Sequence, residues 1–254
     1  METFIKNLAK GAGAILRGGF RTDIKTKQKT APWDVVTKYD LASEEFIVRK
    51  IRRKYPDHGI LSEESGEIKK SRKFWIIDPI DGTRPFSRGV AQFCVSISFV
   101  NHNQIELGCV YDPIADELFF AKRKGGAFLN GKRVHVTSET KPKYADAAIL
   151  LGSHETTVRE KKVIYNNLVI KYNFWPDRVS SAALSGAYVA SGRFALYISK
   201  GLDPWDYSAA ALMLKESGAK VTEFNGRPYK WNSRTIVAAN PSLHRILTKE
   251  LKTL

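Results

Sequence analysis

The feature that most constrains the fold is the stretch WIIDPIDGT at residues 75–83, where apolar strand formers run directly into two aspartates. The WII segment is typical of a buried strand. Because Pro79 cannot donate a hydrogen bond to a sheet, the strand is predicted to end near Asp78. Asp78 and Asp81 should then converge at its carboxyl end. Two carboxylates held together repel each other, so the junction predicts a cation site, and oxygen ligands favour Mg²⁺.

The rest of the chain alternates between helical and strand patterns without internal repeats, which predicts a layered α/β fold. Asp40 is predicted to cap a helix that ends before Pro56. A series of short strands follows, enough for one sheet. A second set of helix and strand patterns follows the polar link at residues 138–147. We therefore place a domain boundary in this link, which divides the chain into halves at residues 1–140 and 141–254.

Composition limits the class of protein and its partners. The chain has 254 residues, 43% of them hydrophobic, and a formal net charge of +15, with basic runs at residues 49–54, 69–73 and 122–124. A positive surface attracts phosphorylated metabolites, RNA or acidic proteins, and charge alone does not choose among them. The runs are scattered and contain few aromatic residues that could stack on bases, so nucleic-acid binding is a secondary hypothesis.

Several sequence features predict a cytoplasmic protein without membrane association. No apolar stretch is long enough to span a bilayer. Basic residues interrupt the first 20 residues, which predicts an amphipathic surface helix and not a signal peptide. Cys94 and Cys109 lie in apolar strand-like segments, where buried, reduced thiols are expected.

Three further acidic residues could join the first pair. Glu63 and Glu64 follow a short strand in the segment LSEES, and Asp206 lies where a helix should begin. Taken singly, the two glutamates would be exposed loop residues, and Asp206 would be a helix N-cap. Gly218 fits the position just beyond the end of the same helix.

Together these segments resemble the inositol monophosphatase family of metal-dependent phosphatases. The resemblance centres on DPIDGT and extends to APWDVVTKYD, SEES, VYDPIADELFFAKRKGGAFLNG and DPWDYSAAALMLKESGAKV, in the order that the family shows. It covers most of residues 31–222, and the combination is far more specific than any one motif. The resemblance implies a layered α/β/α/β/α sandwich of the inositol monophosphatase and fructose-1,6-bisphosphatase type, with the site between two halves.

The resemblance also implies a set of site residues. Two or three Mg²⁺ ions would be held by Glu63, Asp78, the backbone carbonyl of Ile80, Asp81 and Asp206. In the family, paired cations bind the phosphate ester and a water attached to one of them attacks it. The residues that correspond to the catalytic positions are Thr83, Asp40 and Glu63. Those that correspond to substrate contacts are Gly82, Thr83, Asp81, Ala183, Ser199 and Asp206.

On this basis the chain is expected to be a lithium-sensitive, homodimeric phosphatase of inositol 1-phosphate or a related sugar phosphate. Three departures weaken the assignment of inositol phosphate itself. Ser181 precedes Ala182 and Ala183 where members that bind inositol tend to carry a glycine before a Ser/Thr-Ala pair. Arg84-Pro85-Phe86 replaces the residue and Asn-Phe that many members carry after DGT. Ser199 aligns with an acidic residue that contacts the sugar ring in inositol-hydrolysing members.

Other functions remain open at this stage. Members of the same group hydrolyse fructose 1,6-bisphosphate, histidinol phosphate or 3′-phosphoadenosine nucleotides, and the pocket around residues 178–203 would decide among them. Covalent phosphatases of the haloacid dehalogenase type also contain DGT, but their nucleophile lies two residues before the second aspartate, and here the separation is three. A hypothesis of another class is a protein that binds RNA or the transcription machinery through its basic surface.

Overall fold

The computed structural model describes residues 1–152, 156–177 and 179–252. Its helices are α1 Glu2–Gly19, α2 Lys38–Lys54, α3 Thr83–Ser87, α4 Val158–Ile164, which continues into a π-helical segment Tyr165–Ile170, α5 Ala182–Ala190, α6 Pro204–Glu216 and α7 Pro241–Leu251. Its strands are β1 Thr26–Gln28, β2 Val35–Thr37, β3 Gly59–Ser62, β4 Gly66–Lys69, β5 Lys73–Asp81, β6 Cys94–Asn101, β7 Gln104–Asp112, β8 Glu117–Lys122, β9 Gly126–Leu129, β10 Lys132–Val134, β11 Asp146–Leu151, β12 Trp175–Asp177, β13 Leu196–Lys200, β14 Lys220–Thr222 and β15 Thr235–Ala239.

The strands form two large sheets and one small hairpin. The larger sheet has the order β10-β9-β8-β7-β6-β5-β3-β4, and the smaller has the order β12-β11-β13-β15-β14. The hairpin consists of β1 and β2. Asn130 and Gly131, both with positive φ, form the two-residue turn between β9 and β10, as an Asn-Gly pair favours. The predicted series of short strands therefore does form one sheet.

Helices and sheets stack in five layers. Helices α1 and α2 cover one face of the larger sheet, α5 and α6 lie between the two sheets, and α4, its π-helical continuation and α7 cover the outer face of the smaller sheet. Because successive side chains of a strand point to opposite faces of the sheet, one strand contributes apolar side chains to two layers. In β13, Tyr197 faces the middle layer, whereas Leu196 and Ile198 face the outer one. The predicted α/β/α/β/α sandwich is confirmed.

The first helix is amphipathic, as predicted, and its apolar face is part of the core. Its side chains Ile5, Leu8 and Leu16 are buried against the larger sheet. Cys94 and Cys109 are free thiols and both are buried, as expected for small apolar side chains. Across the described residues, none of the helices combines the length and the apolar character needed to cross a membrane. The cytoplasmic location stays a prediction.

Two predicted helix caps need correction, and both for the same reason. Thr37 caps α2 and Asp203 caps α6, whereas Asp40 and Asp206 each lie three residues further on, at the third helical position. There each aspartate accepts a hydrogen bond from the backbone of its cap residue, which completes a capping box. Gly218 follows α6 with a φ of 100°, as predicted.

The middle layer joins the two halves of the chain. Helix α6 belongs to the C-terminal half, yet it packs against strands β5 to β9 of the larger sheet and against β14 of the smaller. One continuous apolar cluster contains Val110 and Phe119 together with Tyr197 and Ile236. Along the chain, the larger sheet ends with β10 at Val134, and the smaller sheet begins with β11 at Asp146, within the last residues of the link. The division into separate domains at that link stays a prediction.

Candidate functional site

A β-bulge brings the first two aspartates to the same face of the larger sheet. Asp78 pairs with Ser96 and Asp81 with Cys94, so three residue steps on β5 oppose two on β6. In a regular strand, residues three apart point to opposite faces. The extra residue of the bulge brings Asp78 and Asp81 back to the same face. The bulge spans Pro79, which has no N–H to pair with β6. Strand β5 therefore continues to Asp81 and does not end at Asp78, which corrects the predicted strand end.

The third aspartate comes from the other half of the chain. Asp206, in the first turn of α6, offers a carboxylate oxygen that lies with one from Asp78 and one from Asp81 inside a group no wider than 4.8 Å. Glu63 follows β3, which pairs in parallel with β5, and its negative charge acts on the carboxyl group of Asp78. Asp78, Asp81 and Asp206, three of the four acidic residues predicted to hold metal, thus meet. Glu63 and the carbonyl-bearing Ile80 line the same cleft outside that group, and their role as ligands stays a prediction.

Burial and mutual repulsion disfavour the charged forms of these carboxyls. Burial, followed by the charges of Glu63 and Asp81, raises the pKa of Asp78 well above its usual value. Burial also raises the pKa of Asp81 to about 6, although hydrogen bonds from α5 oppose the shift. For Asp206, burial and then the charge of Asp81 raise the pKa well above normal. A cluster of this kind needs compensating positive charge.

The donors fit a hard divalent cation. Every side chain of the cluster presents oxygen, the ligand atom that Mg²⁺ prefers, and no softer sulfur or nitrogen ligand is among the side chains of the cluster. Asp78 and Asp206 would each place one oxygen toward such an ion. The identity and number of the ions, and the role of Ile80, stay predictions.

Asp40 and Thr83 form a second feature of the site. One oxygen of the Asp40 carboxylate accepts hydrogen bonds from the backbone and side chain of Thr37, at 2.7 and 2.6 Å. The other accepts the Thr83 hydroxyl at 2.8 Å. The Ile80 carbonyl, at 3.1 Å, is a second and more distant acceptor for the single proton of that hydroxyl. The lone pairs of the hydroxyl remain available to accept a hydrogen bond from a water molecule. Burial raises the pKa of Asp40, and its hydrogen bonds to Thr37 and Thr83 oppose the shift.

Asp81 is held by the N-terminus of α5, a contact that the sequence did not reveal. One carboxylate oxygen accepts the Ser181 hydroxyl at 2.7 Å and the Ala183 N–H at 2.6 Å, and the other accepts the Ala182 N–H at 3.2 Å. These donors lie about a hundred positions further along the chain. Since a helix N-terminus stabilises negative charge, α5 favours the ionised form of Asp81.

Ala183 and Ser199, both predicted to contact substrate, lie behind the cleft. The Ala183 N–H is occupied by Asp81, and the side chain of Ser199 is buried in β13. Neither belongs to the described residues that line the cleft. A direct contact of either residue with substrate stays a prediction. In the structure, the backbone N–H of Ala183 donates a hydrogen bond to Asp81.

The sequence also missed a set of residues that hold Glu63 and Glu64. Lys29, in the loop after β1, donates to Glu63 at 2.8 Å and to Glu64 at 2.7 Å. Burial alone would lower the pKa of Lys29, but these two ion pairs raise it. Glu44 accepts hydrogen bonds from Ser62, Ser65 and the backbone of Glu64. The sequence could have pointed to Glu44, because it lies four residues after Asp40 and therefore on the same face of the predicted helix.

The cleft is large enough for a small metabolite and lies between the two halves. Its volume is about 710 Å³, and its wall includes the acidic cluster, Gly82, Thr83 and, from the C-terminal half, Lys161 and Tyr165. Gly82 has a φ of 102°, and a Cβ there would approach the Gln92 carbonyl to 2.6 Å. Only glycine fits this approach, which allows the chain to turn from β5 directly into α3. Residue 178, at the edge of the predicted pocket region, lies outside the described residues.

Known proteins match nearly the whole chain. The model of the inositol monophosphatase family matches residues 1–254. The Nus factor SuhB of Pasteurella multocida is 38% identical over 250 residues, covering 96% of this chain and 92% of that protein. The fructose-1,6-bisphosphatase/inositol-1-monophosphatase of Thermotoga maritima is 31% identical over 252 residues, covering 98% and 94%. The crystal structure of extragenic suppressor protein suhB from Bartonella henselae superposes with a TM-score of 0.92 at 30% identity, covering 98% of this chain and 97% of that one.

Proposed function

The chain belongs to the inositol monophosphatase family, and from this premise we propose that it is a Mg²⁺-dependent phosphatase of a small phosphate monoester. One observation carries the proposal: carboxylates from β5 and α6, more than a hundred residues apart, come within 4.8 Å of one another in the cleft. Inositol 1-phosphate or a related sugar phosphate is the proposed substrate. Lithium sensitivity and a homodimeric state stay predictions from the family resemblance.

The chain's own residues would position the reactants. Divalent ions bound at the cluster would neutralise the phosphate ester and stabilise the negative charge on the departing alkoxide. Thr83 would accept a proton from the attacking water while the proton of the Thr83 hydroxyl passes to the Asp40 carboxylate. The backbone amides of Gly82 and Thr83, at the start of α3, would bind phosphate oxygens.

Other phosphate esters that members of the family hydrolyse are alternative candidates for the substrate. A relative from Thermotoga maritima carries the double name fructose-1,6-bisphosphatase/inositol-1-monophosphatase. Histidinol phosphate and 3′-phosphoadenosine 5′-phosphate also fit a cleft of about 710 Å³. A panel of these four substrates with purified protein, with Mg²⁺ and with a chelator, would rank them directly.

Asp81→Asn provides the specific test. Asparagine keeps the shape and removes one charge from the cluster, but it has one acceptor oxygen in place of two and leaves one of the three donors from the start of α5 without a partner. We expect turnover to fall at least about 100-fold, whereas the free energy of unfolding without Mg²⁺ should change by less than about 3 kcal/mol, because the relief of repulsion offsets the lost hydrogen bond. Asp57→Asn is the matched control, since that side chain is 99% exposed. Unchanged Mg²⁺-dependent hydrolysis in Asp81→Asn would contradict the proposal.

A second candidate function is binding to RNA or the transcription machinery. The basic residues at positions 49–54 and 69–73 are exposed on the outer layer and on the sheet edge, and several relatives bear the name Nus factor SuhB. RNA retention by the Asp81→Asn variant should then fall steeply as salt rises, independently of phosphatase activity. Failure to retain RNA at low salt would exclude this second function.

A further inference from the structure

The face of β6 that meets the middle layer is polar, although both faces of the strand are buried. The side chains at positions 95, 97 and 99 belong to the apolar cluster that α1 and α2 cover. The alternate positions face α5 and α6. Three of them, which we call the β6 row, are at most 1% exposed and carry small polar groups: Cys94, Ser96 and Ser98. Because buried polar groups need hydrogen-bond partners, the row requires partners in the middle layer.

Two members of the β6 row contact the starts of both central helices. The Cys94 thiol lies 3.4 Å from the hydroxyl of Ser181, which caps α5, and 3.8 Å from the Asp81 carboxylate. The Ser96 hydroxyl donates to the carbonyl oxygen of Trp205, in the first turn of α6, at 3.3 Å. The row thus joins a strand of the N-terminal half to two helices of the C-terminal half.

The third member forms a buried serine pair with α6. The hydroxyls of Ser98 and Ser208 are 2.8 Å apart, and neither residue is more than 1% exposed. Ser98 is the partner of Gly108 in the sheet, where the backbone of α6 approaches most of the way to contact, since a Cβ on Gly108 would lie 2.7 Å from the Ala209 carbonyl oxygen. A shift of α6 along its own axis would therefore break the serine pair.

The contacts to α6 flank the carboxylate that this helix brings to the acidic cluster. Asp206 lies between Trp205 and Ser208 in the sequence, and Ser96 is the partner of Asp78 in the pairing of β5 with β6. The row thus fixes the start of α6 relative to the strand that carries Asp78. Ionised carboxylates this close repel one another, so a restraint is needed to keep them together.

We propose that the β6 row sets the separation of Asp206 from Asp78 and Asp81, and thereby selects a small divalent cation over a larger one. This inference rests on the proposed phosphatase function and concerns the cation site of that function. Mg²⁺ requires oxygen ligands at about 2.0–2.1 Å in near-octahedral geometry, whereas Ca²⁺ accepts about 2.3–2.6 Å in a flexible geometry. Ser96 and Ser98 are positioning residues, since they act through the helix that carries Asp206.

Loss of these hydrogen bonds should let the carboxylates move apart, toward the distances that Ca²⁺ accepts. The Ser98→Ala/Ser208→Ala double variant removes the serine pair, and Ser96→Ala removes the other contact with α6. Titration calorimetry on the metal-free protein gives an apparent Kd for each cation without relying on activity. In both variants we expect the Kd for Mg²⁺ to rise about tenfold and the Kd for Ca²⁺ to change less than about threefold, so that discrimination falls. Ser96→Ala keeps the inference testable if the double variant does not fold.

Ser217→Ala is the matched control. Ser217 is buried directly after α6, at the end far from Asp206, and its hydroxyl donates to the Leu214 carbonyl at 2.9 Å. This variant should unfold at a lower urea concentration than the wild type and keep the wild-type ratio of the two Kd values.

The possible outcomes separate the inference from the proposed function. If both row variants lose stability but keep the wild-type ratio, the serines are purely structural and the inference is overturned, while Mg²⁺-dependent hydrolysis by the wild type would leave the phosphatase function standing. If the wild-type protein binds neither cation, the proposed metal-dependent function is overturned, and the inference with it.

Discussion

At the scale of single residues, two aspartates serve a helix and the site together. Asp40 uses one oxygen to complete a capping box and the other to accept the Thr83 hydroxyl, and Asp206 both completes a capping box and belongs to the acidic cluster. The helix start thereby fixes the rotamer of a functional carboxylate. A side chain held in this way loses little further freedom when it binds a ligand.

The contact between Asp40 and Thr83 leads to a prediction. Thr83→Ala removes the hydroxyl and leaves one buried oxygen of Asp40 without its donor, so kcat should fall about 100-fold or more. Thr83→Ser keeps the hydroxyl and should retain activity within about tenfold. Steady-state kinetics on the best substrate of the panel measures both. Equal losses in the two variants would show that the methyl group, and not the hydroxyl, matters.

At the scale of elements, the turn between β3 and β4 owes its shape to a buried carboxylate. Glu44 of α2 is 5% exposed and accepts from Ser62, Ser65 and the Glu64 backbone. The turn carries Glu63 toward Asp78. Glu44 therefore positions a proposed metal ligand without itself lining the cleft among the described residues.

Glu44→Gln should weaken Mg²⁺ binding. The amide has one acceptor oxygen in place of two, so one of the three donors loses its partner, at a cost of about 1–3 kcal/mol in the free energy of unfolding. The apparent Mg²⁺ affinity, followed by calorimetry or by the Mg²⁺ dependence of the unfolding midpoint, should fall. Glu45→Gln, at the exposed neighbouring position, is the control. The same Mg²⁺ affinity in both variants would contradict this role for Glu44.

At the scale of the whole molecule, α6 ties the site to both sheets. It crosses β7 at Gly108, where a Cβ would lie 2.7 Å from the Ala209 carbonyl oxygen. The close approach of helix and sheet holds Asp206, at the start of α6, beside the aspartates of β5. The distance between the two halves at the cleft is thus set by a packing contact deep in the middle layer.

Gly108→Ala should test that coupling. The nearest atoms are backbone, so α6 must shift, and we expect a loss of about 1–3 kcal/mol in the free energy of unfolding together with weaker Mg²⁺ binding. Gly18→Ala is the control, because nothing lies within 4 Å of a Cβ there and alanine favours a helix by about 0.5–1 kcal/mol. Urea unfolding with and without Mg²⁺ measures both effects. Wild-type stability in Gly108→Ala would contradict the packing argument.

The acidic cluster makes the stability of the metal-free protein depend on pH. Asp78, Asp81 and Asp206 have pKa values raised by burial, so the folded state binds their protons more tightly than the unfolded state does. For Asp81, the stability of the protein in a chelator should therefore increase as pH falls through about 6, by up to about 1.4 kcal/mol per pH unit for each proton taken up, until the unfolded carboxyl is itself protonated near about pH 4.

His244 opposes this gain, and Mg²⁺ should remove the gain itself. Burial lowers the pKa of His244 to about 4, so the folded state resists its protonation, and this one group costs stability below about pH 6.5. Saturating Mg²⁺ favours the ionised carboxylates and should abolish the gain that the metal-free protein shows as pH falls through about 6. Thermal unfolding across this range, with and without Mg²⁺, is the measurement. Identical pH profiles under both conditions would contradict a divalent-cation site at this cluster.

Local sequence patterns were sufficient for the layered fold, the short strands of the larger sheet and the pair of acids at the end of β5. Strand alternation and chain breakers act over a few residues, so they can be recognised without knowing what lies opposite. The resemblance in SEES and DPWD extended this to Glu63 and Asp206, which local patterns alone would assign to a loop and a cap.

Tertiary structure decided which groups share the cleft. The bulge that turns Asp78 and Asp81 to one face depends on pairing with β6, and the donors to Asp81 come from a helix about a hundred residues away. The presence of Thr83 and Tyr165 in the lining of one cleft depends on how the layers stack. Distances between residues far apart in the chain follow from packing of whole elements, which no local pattern encodes.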